Sequence, residues 1–85
     1  MSHVNVTYEM METEEYDAYG RAYVGYGIEA WSGSGTERIC LHRVPDLFVS
    51  RARCERFVEM CNEESVAPFH LPEVIDNVLA EEWGV

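Results

Sequence analysis

Apolar residues recur at every second position through the first half of this chain and at every third or fourth position through the second half. Those are the periods of a half-buried strand and of an amphipathic helix. A chain that switches period once can bury both apolar sets together by laying helices on one face of a sheet. In the first half, Val4, Val6, Tyr8 and Met10 alternate with His3, Asn5, Thr7 and Glu9, which predicts a first strand. Residues 12–20 are acidic and end in Asp17-Ala18-Tyr19-Gly20, a turn-like connection. A second strand follows over residues 21–31. Ala22, Val24, Tyr26, Ile28 and Ala30 form its apolar face, and Arg21, Tyr23, Gly25, Gly27, Glu29 and Trp31 form the other. Ser32-Gly33-Ser34-Gly35 is the clearest turn signal in the chain. A third strand is predicted over residues 36–44, with Ile39 and Leu41 on one face and Cys40 and His42 on the other. Short connections in this order imply an antiparallel meander.

Pro45-Asp46 is expected to end the third strand or to lie at a sheet edge. A first helix then starts at Ser50 as N-cap. Cys54, Phe57, Val58 and Cys61 share one helical face, with Arg53, Glu55, Arg56, Glu59 and Glu63 on the wet side. Pro68 blocks continuation. A second helix begins near Leu71, with Pro72 in its first turn, where a missing N–H costs nothing. Its stripe is Leu71, Val74, Ile75, Val78, Leu79 and Trp83, and Gly84 is a natural stop. The expected architecture is one small α+β domain over residues 1–85: a three-stranded antiparallel sheet followed by two helices packed on one face. Val24, Tyr26, Ile28, Phe57, Val58, Val74, Ile75, Val78 and Leu79 are its expected core. A chain this short buries only about 60% of its unfolded surface, so the core is small.

Charge excludes several functions. Sixteen acidic residues face six basic ones, all arginine, and the net charge is -10. Such a chain repels nucleic acid and anionic lipid. A hydrophobic fraction of 47% argues for a folded domain despite the acidity. No window approaches the roughly 18 apolar residues of a membrane helix. Met1-Ser2-His3-Val4-Asn5 has neither the basic nor the apolar region of a signal peptide, so the expected compartment is the cytoplasm. Asn5-Val6-Thr7 fits a glycosylation pattern, but without secretion it reads as chance. Cys54 and Cys61 fall two helical turns, roughly 10 Å, apart, too far for a disulfide. All three cysteines, with Cys40, are expected to be structural and reduced.

Four short segments carry a resemblance. They are Tyr26-Gly27-Ile28, then Val44-x-Asp46-Leu47, then Val58-x-x-x-Asn62-Glu63, and last Pro68-x-His70-Leu71-x-x-Val74-Ile75-x-x-x-Leu79. In these the chain resembles a family of short uncharacterised bacterial proteins, mostly from Gram-positive anaerobes, described only as a domain of unknown function. The family carries Ser or Thr where this chain has Phe48 and Val49. The resemblance implies a small sheet-plus-helices fold and carries no activity, substrate or cofactor.

No catalytic motif is present. The carboxylate pairs Glu14-Glu15, Glu63-Glu64 and Glu81-Glu82 read as solvated runs. Ser32-Gly33-Ser34-Gly35 lacks the length and the lysine of a phosphate loop. His70 precedes a helix with Glu73 three residues on, the pattern of a capping box, and is the one candidate ligand or acid–base histidine. Cys40-x-His42 on a strand would point both side chains the same way, which is the sole hint of a metal site. The cysteine and histidine spacings otherwise lack any zinc pattern, and neither a metal nor another cofactor is expected. Tyr23 and Trp31, with Gly25 and Gly27 between them, would form an aromatic ridge and shallow groove on the sheet face away from the helices, a candidate partner surface. The sequence therefore points to a small cytoplasmic module that binds protein, either another protein or a second copy. A small-ligand binder or minor enzyme using His70 is a second reading. A metal-linked protein using Cys40 and His42 is a third.

Overall fold

The computed structural model describes residues 6–33 and 35–83. Three strands, β1 (Val6–Tyr16), β2 (Ala22–Ser32) and β3 (Ile39–Phe48), form an antiparallel sheet in the order β1-β2-β3. Two helices follow, α1 (Arg51–Glu63) and α2 (Leu71–Trp83). This is the expected α+β architecture. The predicted strand start at Val4, the Asn5 glycosylation pattern, Ser34 of the turn, the side chain of Trp83 and the Gly84 stop lie outside the described residues.

The acidic run that was expected to be a connection is strand instead. Glu12, Glu14 and Tyr16 pair with Tyr26, Val24 and Ala22, so the β1–β2 hairpin is longer than its apolar pattern. Its turn is closed by Asp17, whose Oδ1 accepts from the backbone N–H groups of Tyr19 (2.8 Å) and Arg21 (3.0 Å). Gly20 follows at φ 76°, a conformation that suits glycine. The hairpin end reaches past the helix layer, and this corrects the predicted core: Val24 is 46% exposed. Ile28, Phe57, Val58 and Ile75 are buried as expected, and Tyr26, Val74, Val78 and Leu79 pack against them half-buried. Tyr8, Ala30, Phe48, Cys54, Cys61 and Leu71 complete the core. Phe48 meets Phe57 at 5.7 Å between ring centroids, tilted by 55°.

β3 starts later and ends later than predicted. Residues 35–37 form a short 3-10 turn, and the strand runs on through Pro45 to Phe48. Ser50 caps α1, accepting from the N–H of Arg53 (3.3 Å). Near its end, Asn62 ties α1 to the sheet edge. Its Oδ1 accepts from Tyr8 N–H (2.8 Å) and its Nδ2 donates to Tyr8 C=O (2.9 Å), so the amide pairs with β1 as a neighbouring strand would. The Tyr8 hydroxyl donates to the Val66 carbonyl, fixing the loop after α1. Burial pushes the Tyr8 phenol above its ordinary pKa.

Candidate functional site

Directly paired residues of an antiparallel sheet share a face, so the register assigns each side chain to the helix side or the far side. On the far side lie Trp31, Glu29, Gly27, Gly25 and Tyr23 of β2, opposite Thr7, Glu9, Met11, Thr13 and Glu15 of β1. The predicted groove over the two glycines is filled by the chain itself. Tyr26 pairs with Phe48 and Ile28 with Val44, so β3 spends Pro45, Asp46 and Leu47 where β2 spends Gly27 alone. The surplus residues arch over β2 as a bulge. A Cβ on Gly27 would lie 2.1 Å from the Val44 carbonyl oxygen and 2.7 Å from Pro45 Cα. A Cβ on Gly25 would lie 2.5 Å from Asp46 Oδ1. The glycines are therefore seats for a crossing backbone. Asp46 sits at φ 56°, a costly value for a residue with a side chain, and its carboxylate accepts from the Tyr23 hydroxyl (2.6 Å). That carboxylate pushes the Tyr23 phenol up to about 12. Met11, 7% exposed and paired with Gly27, is buried on this second side, outside the main core.

Toward the other end of the same face the groups are ionic. Glu9 and Glu29 stand directly opposite, a repulsive pair that arginines offset. Arg38 Nη2 lies 2.7 Å from Glu9, and Arg43 Nε lies 3.5 Å from Glu29. The Arg38 guanidinium also covers the Trp31 ring at 4.4 Å. Tyr23, Gly25 and Gly27 are thus occupied within the molecule, while Trp31 sits under Arg38 beside the β3 edge.

A second irregularity separates Cys40 from His42. Ala30 pairs with His42 but Trp31 pairs with Cys40, so Leu41 is the extra residue. Ala30 and Trp31 face opposite sides, and Cys40 and His42 follow them. The expectation that these two side chains point the same way is corrected by this bulge. The Cys40 thiol donates to the His42 carbonyl (3.4 Å). Among the described residues, no three His, Cys, Asp or Glu side chains gather as a metal-holding group. Cys54 and Cys61 are fully buried free thiols, pushed up to about 11 by that burial, and Cys54 donates to the Gly27 carbonyl (3.3 Å).

His70 is exposed. Its Nδ1 lies 4.0 Å from Glu73 and its ring rests 4.1 Å from the exposed Phe69. The predicted capping box does not close, because the backbone N–H of His70 already donates to Ala67 (2.9 Å) in the 3-10 turn Pro68–His70. Apart from Glu73, no nucleophile or titratable side chain converges on it among the described residues.

The two sheet edges differ. β1 carries the Asn62 amide at Tyr8 and carboxylates at Glu9, Glu12, Glu14 and Glu15, devices that block strand addition. β3 has Pro45 and the bulge at one end. From residue 39 to residue 43 it has neither carboxylate nor proline. Ile39 is 65% exposed and Leu41 39%.

The model of a family of unknown function, DUF6514, matches residues 1–81. The chain belongs to that family. No curated protein and no solved structure matches it. The segments that carried the resemblance fall on members of the fold's main joints. Gly27 seats the bulge, Asp46 holds Tyr23, Asn62 clamps the edge, and Leu71 is 1% exposed in the core. No helix among the described residues is long and apolar enough to cross a membrane.

Proposed function

We propose that this DUF6514 member is a cytoplasmic bacterial module that binds protein by strand addition at the β3 edge, residues 39–43. The observation that carries the reading is the asymmetry of the edges: β1 is closed by an amide clamp and carboxylates, and this stretch of β3 has neither among the described residues, its one interruption being the extra residue Leu41. An added strand satisfies the free backbone groups there and covers Ile39 and Leu41. The partner's chemistry follows from charge. Residues 38–45 hold Arg38, His42 and Arg43 and no acid, in a protein of net charge -10; Arg38 and Arg43 face Glu9 and Glu29 on the sheet, and the Arg43 side chain remains 64% exposed. An extended segment alternating acidic and apolar residues complements that edge, and a basic one meets Ile39 and Leu41 with like charge beside them.

The test uses two fluorescein-labelled probes, an alternating Glu–Val peptide and its Lys–Val counterpart. Fluorescence anisotropy at low salt is expected to show the acidic peptide binding at least about tenfold tighter, with the gap narrowing near 1 M salt, where the screening length is about 3 Å. Leu41→Pro, which sets a proline within the exposed stretch of this edge, is expected to abolish binding. Equal affinity for both peptides, or unchanged binding by the Leu41→Pro chain, refutes the reading. Sedimentation of the free protein distinguishes a second copy as occupant: a dimer that Leu41→Pro dissolves would replace the peptide partner by self-pairing.

A further inference from the structure

We infer that the groove between α1 and α2 binds a small organic monocarboxylate with a flat apolar body. The groove is open to solvent, holds about 260 Å³ and is lined by Phe48, Arg53, Arg56, Phe57, Met60, Val78 and Glu81. Arg53, Arg56, Phe57 and Met60 lie at i, i+3, i+4 and i+7, so α1 presents them as one wall; Val78 and Glu81, three apart, are presented by α2. Phe48 and Phe57 bring buried aromatic surface to the groove, 6% and 5% exposed. Arg53, Arg56 and Glu81 put charge on both walls, over a floor of Phe48, Phe57, Met60 and Val78.

Charge selects the ligand. Acids outnumber arginines sixteen to six, so every arginine has carboxylates to choose from. Arg38, Arg43 and Arg51 pair with Glu9, Glu29 and Glu55; Arg21 stacks on Tyr19; and Arg53 has a partner as well. Arg56 has none among the described residues, and it lines this groove beside the partnered Arg53. A planar guanidinium at the wall of a groove floored by Phe48, Phe57, Met60 and Val78 suits a carboxylate whose apolar body covers that floor. Glu81, on the facing wall, disfavours a ligand with a second negative charge.

The experiment is a titration of the ¹⁵N-labelled full chain with 2-naphthoate and, separately, with the neutral 2-naphthamide. The expected result is saturable shifts of amides around residues 53–60 and 78–81, with the acid bound about fivefold tighter than the amide, a factor typical of one partly exposed ion pair. Arg56→Gln is expected to remove the difference between acid and amide while leaving the melting temperature unchanged. Glu81→Gln is expected to tighten the acid and leave the amide alone. The inference is overturned if no saturable shifts appear, if they map elsewhere, if wild type binds acid and amide equally, or if Arg56→Gln keeps the preference.

Discussion

Gly27→Ala has opposite expected signs depending on whether the far face of the sheet is open or covered. On an open face, alanine in place of a strand glycine stabilises by roughly 0.5–1 kcal/mol, because the unfolded chain loses freedom and nothing is displaced. Under the β3 bulge, the new methyl would meet the Val44 carbonyl oxygen at 2.1 Å and Pro45 Cα at 2.7 Å, where ordinary contact begins at 3.4 Å. Both obstacles are backbone, so the arch itself must retreat by 1.3 Å (3.4 less 2.1) at the carbonyl. That movement pulls on the Ile28–Val44 and Tyr26–Phe48 pairings and so on the burial of Phe48. Overpacking costs about 1–3 kcal/mol where side chains can adjust; with backbone on the far side the expected loss is about 3 kcal/mol or more. A chain of 85 residues holds about 4–13 kcal/mol in all. Urea denaturation followed by tryptophan fluorescence reads the change, and with a slope near 1 kcal/mol/M the midpoint should fall by about 3 M. Gly25→Ala, whose nearest obstacle is the movable Asp46 carboxylate at 2.5 Å, should cost less. A Gly27→Ala midpoint equal to or above wild type would refute the covered face.

Asn62→Ala leaves the Tyr8 N–H and C=O without their amide partner and should cost about 1–3 kcal/mol by urea denaturation, whereas a change under about 0.5 kcal/mol would mean the clamp holds nothing. A thiol reagent at pH 8 should label Cys40 promptly in the folded chain and Cys54 and Cys61 only after denaturation, and fast labelling of all three would contradict the packing. Burial raises both buried thiols from 9.0 to about 11, so the folded state keeps protons that the unfolded chain has released. Their contribution is complete below pH 9 and disappears as pH rises from 9 to 11. The urea midpoint should fall over that range, and less steeply in a Cys54→Ala/Cys61→Ala chain.

Periodicity made the element order, the antiparallel meander and the helix stripes readable, because each depends on local alternation and on caps such as Ser50. What it missed is non-local. The acidic stretch from Glu12 to Tyr16 is strand because β2 pairs with it, and no residue in that stretch announces the pairing. Val24 sits in phase with Ile28 yet falls beyond the helix layer, and phase carries no information about how far a helix reaches. The two bulges turn the far face from a groove into a covered surface and split Cys40 from His42. The signals for the first of them were present in Gly25, Gly27 and the Pro45-Asp46 pair, which are explained together once glycines are read as room for another backbone. Asn62, by contrast, was readable only as a helix-end polar residue until its partner 54 residues away was known.

The most direct test of strand addition at β3 is amide hydrogen exchange of the ¹⁵N-labelled chain, free and saturated with the Glu–Val peptide. In the free protein the Tyr8 amide, held by Asn62, should be protected, and the outward-pointing amides of residues 39–43 should exchange close to unstructured rates. The peptide should slow those β3 amides by at least about tenfold and leave the β1 edge unchanged. Protection that appears on β1 or on the helices, with residues 39–43 unaffected, would contradict the proposal.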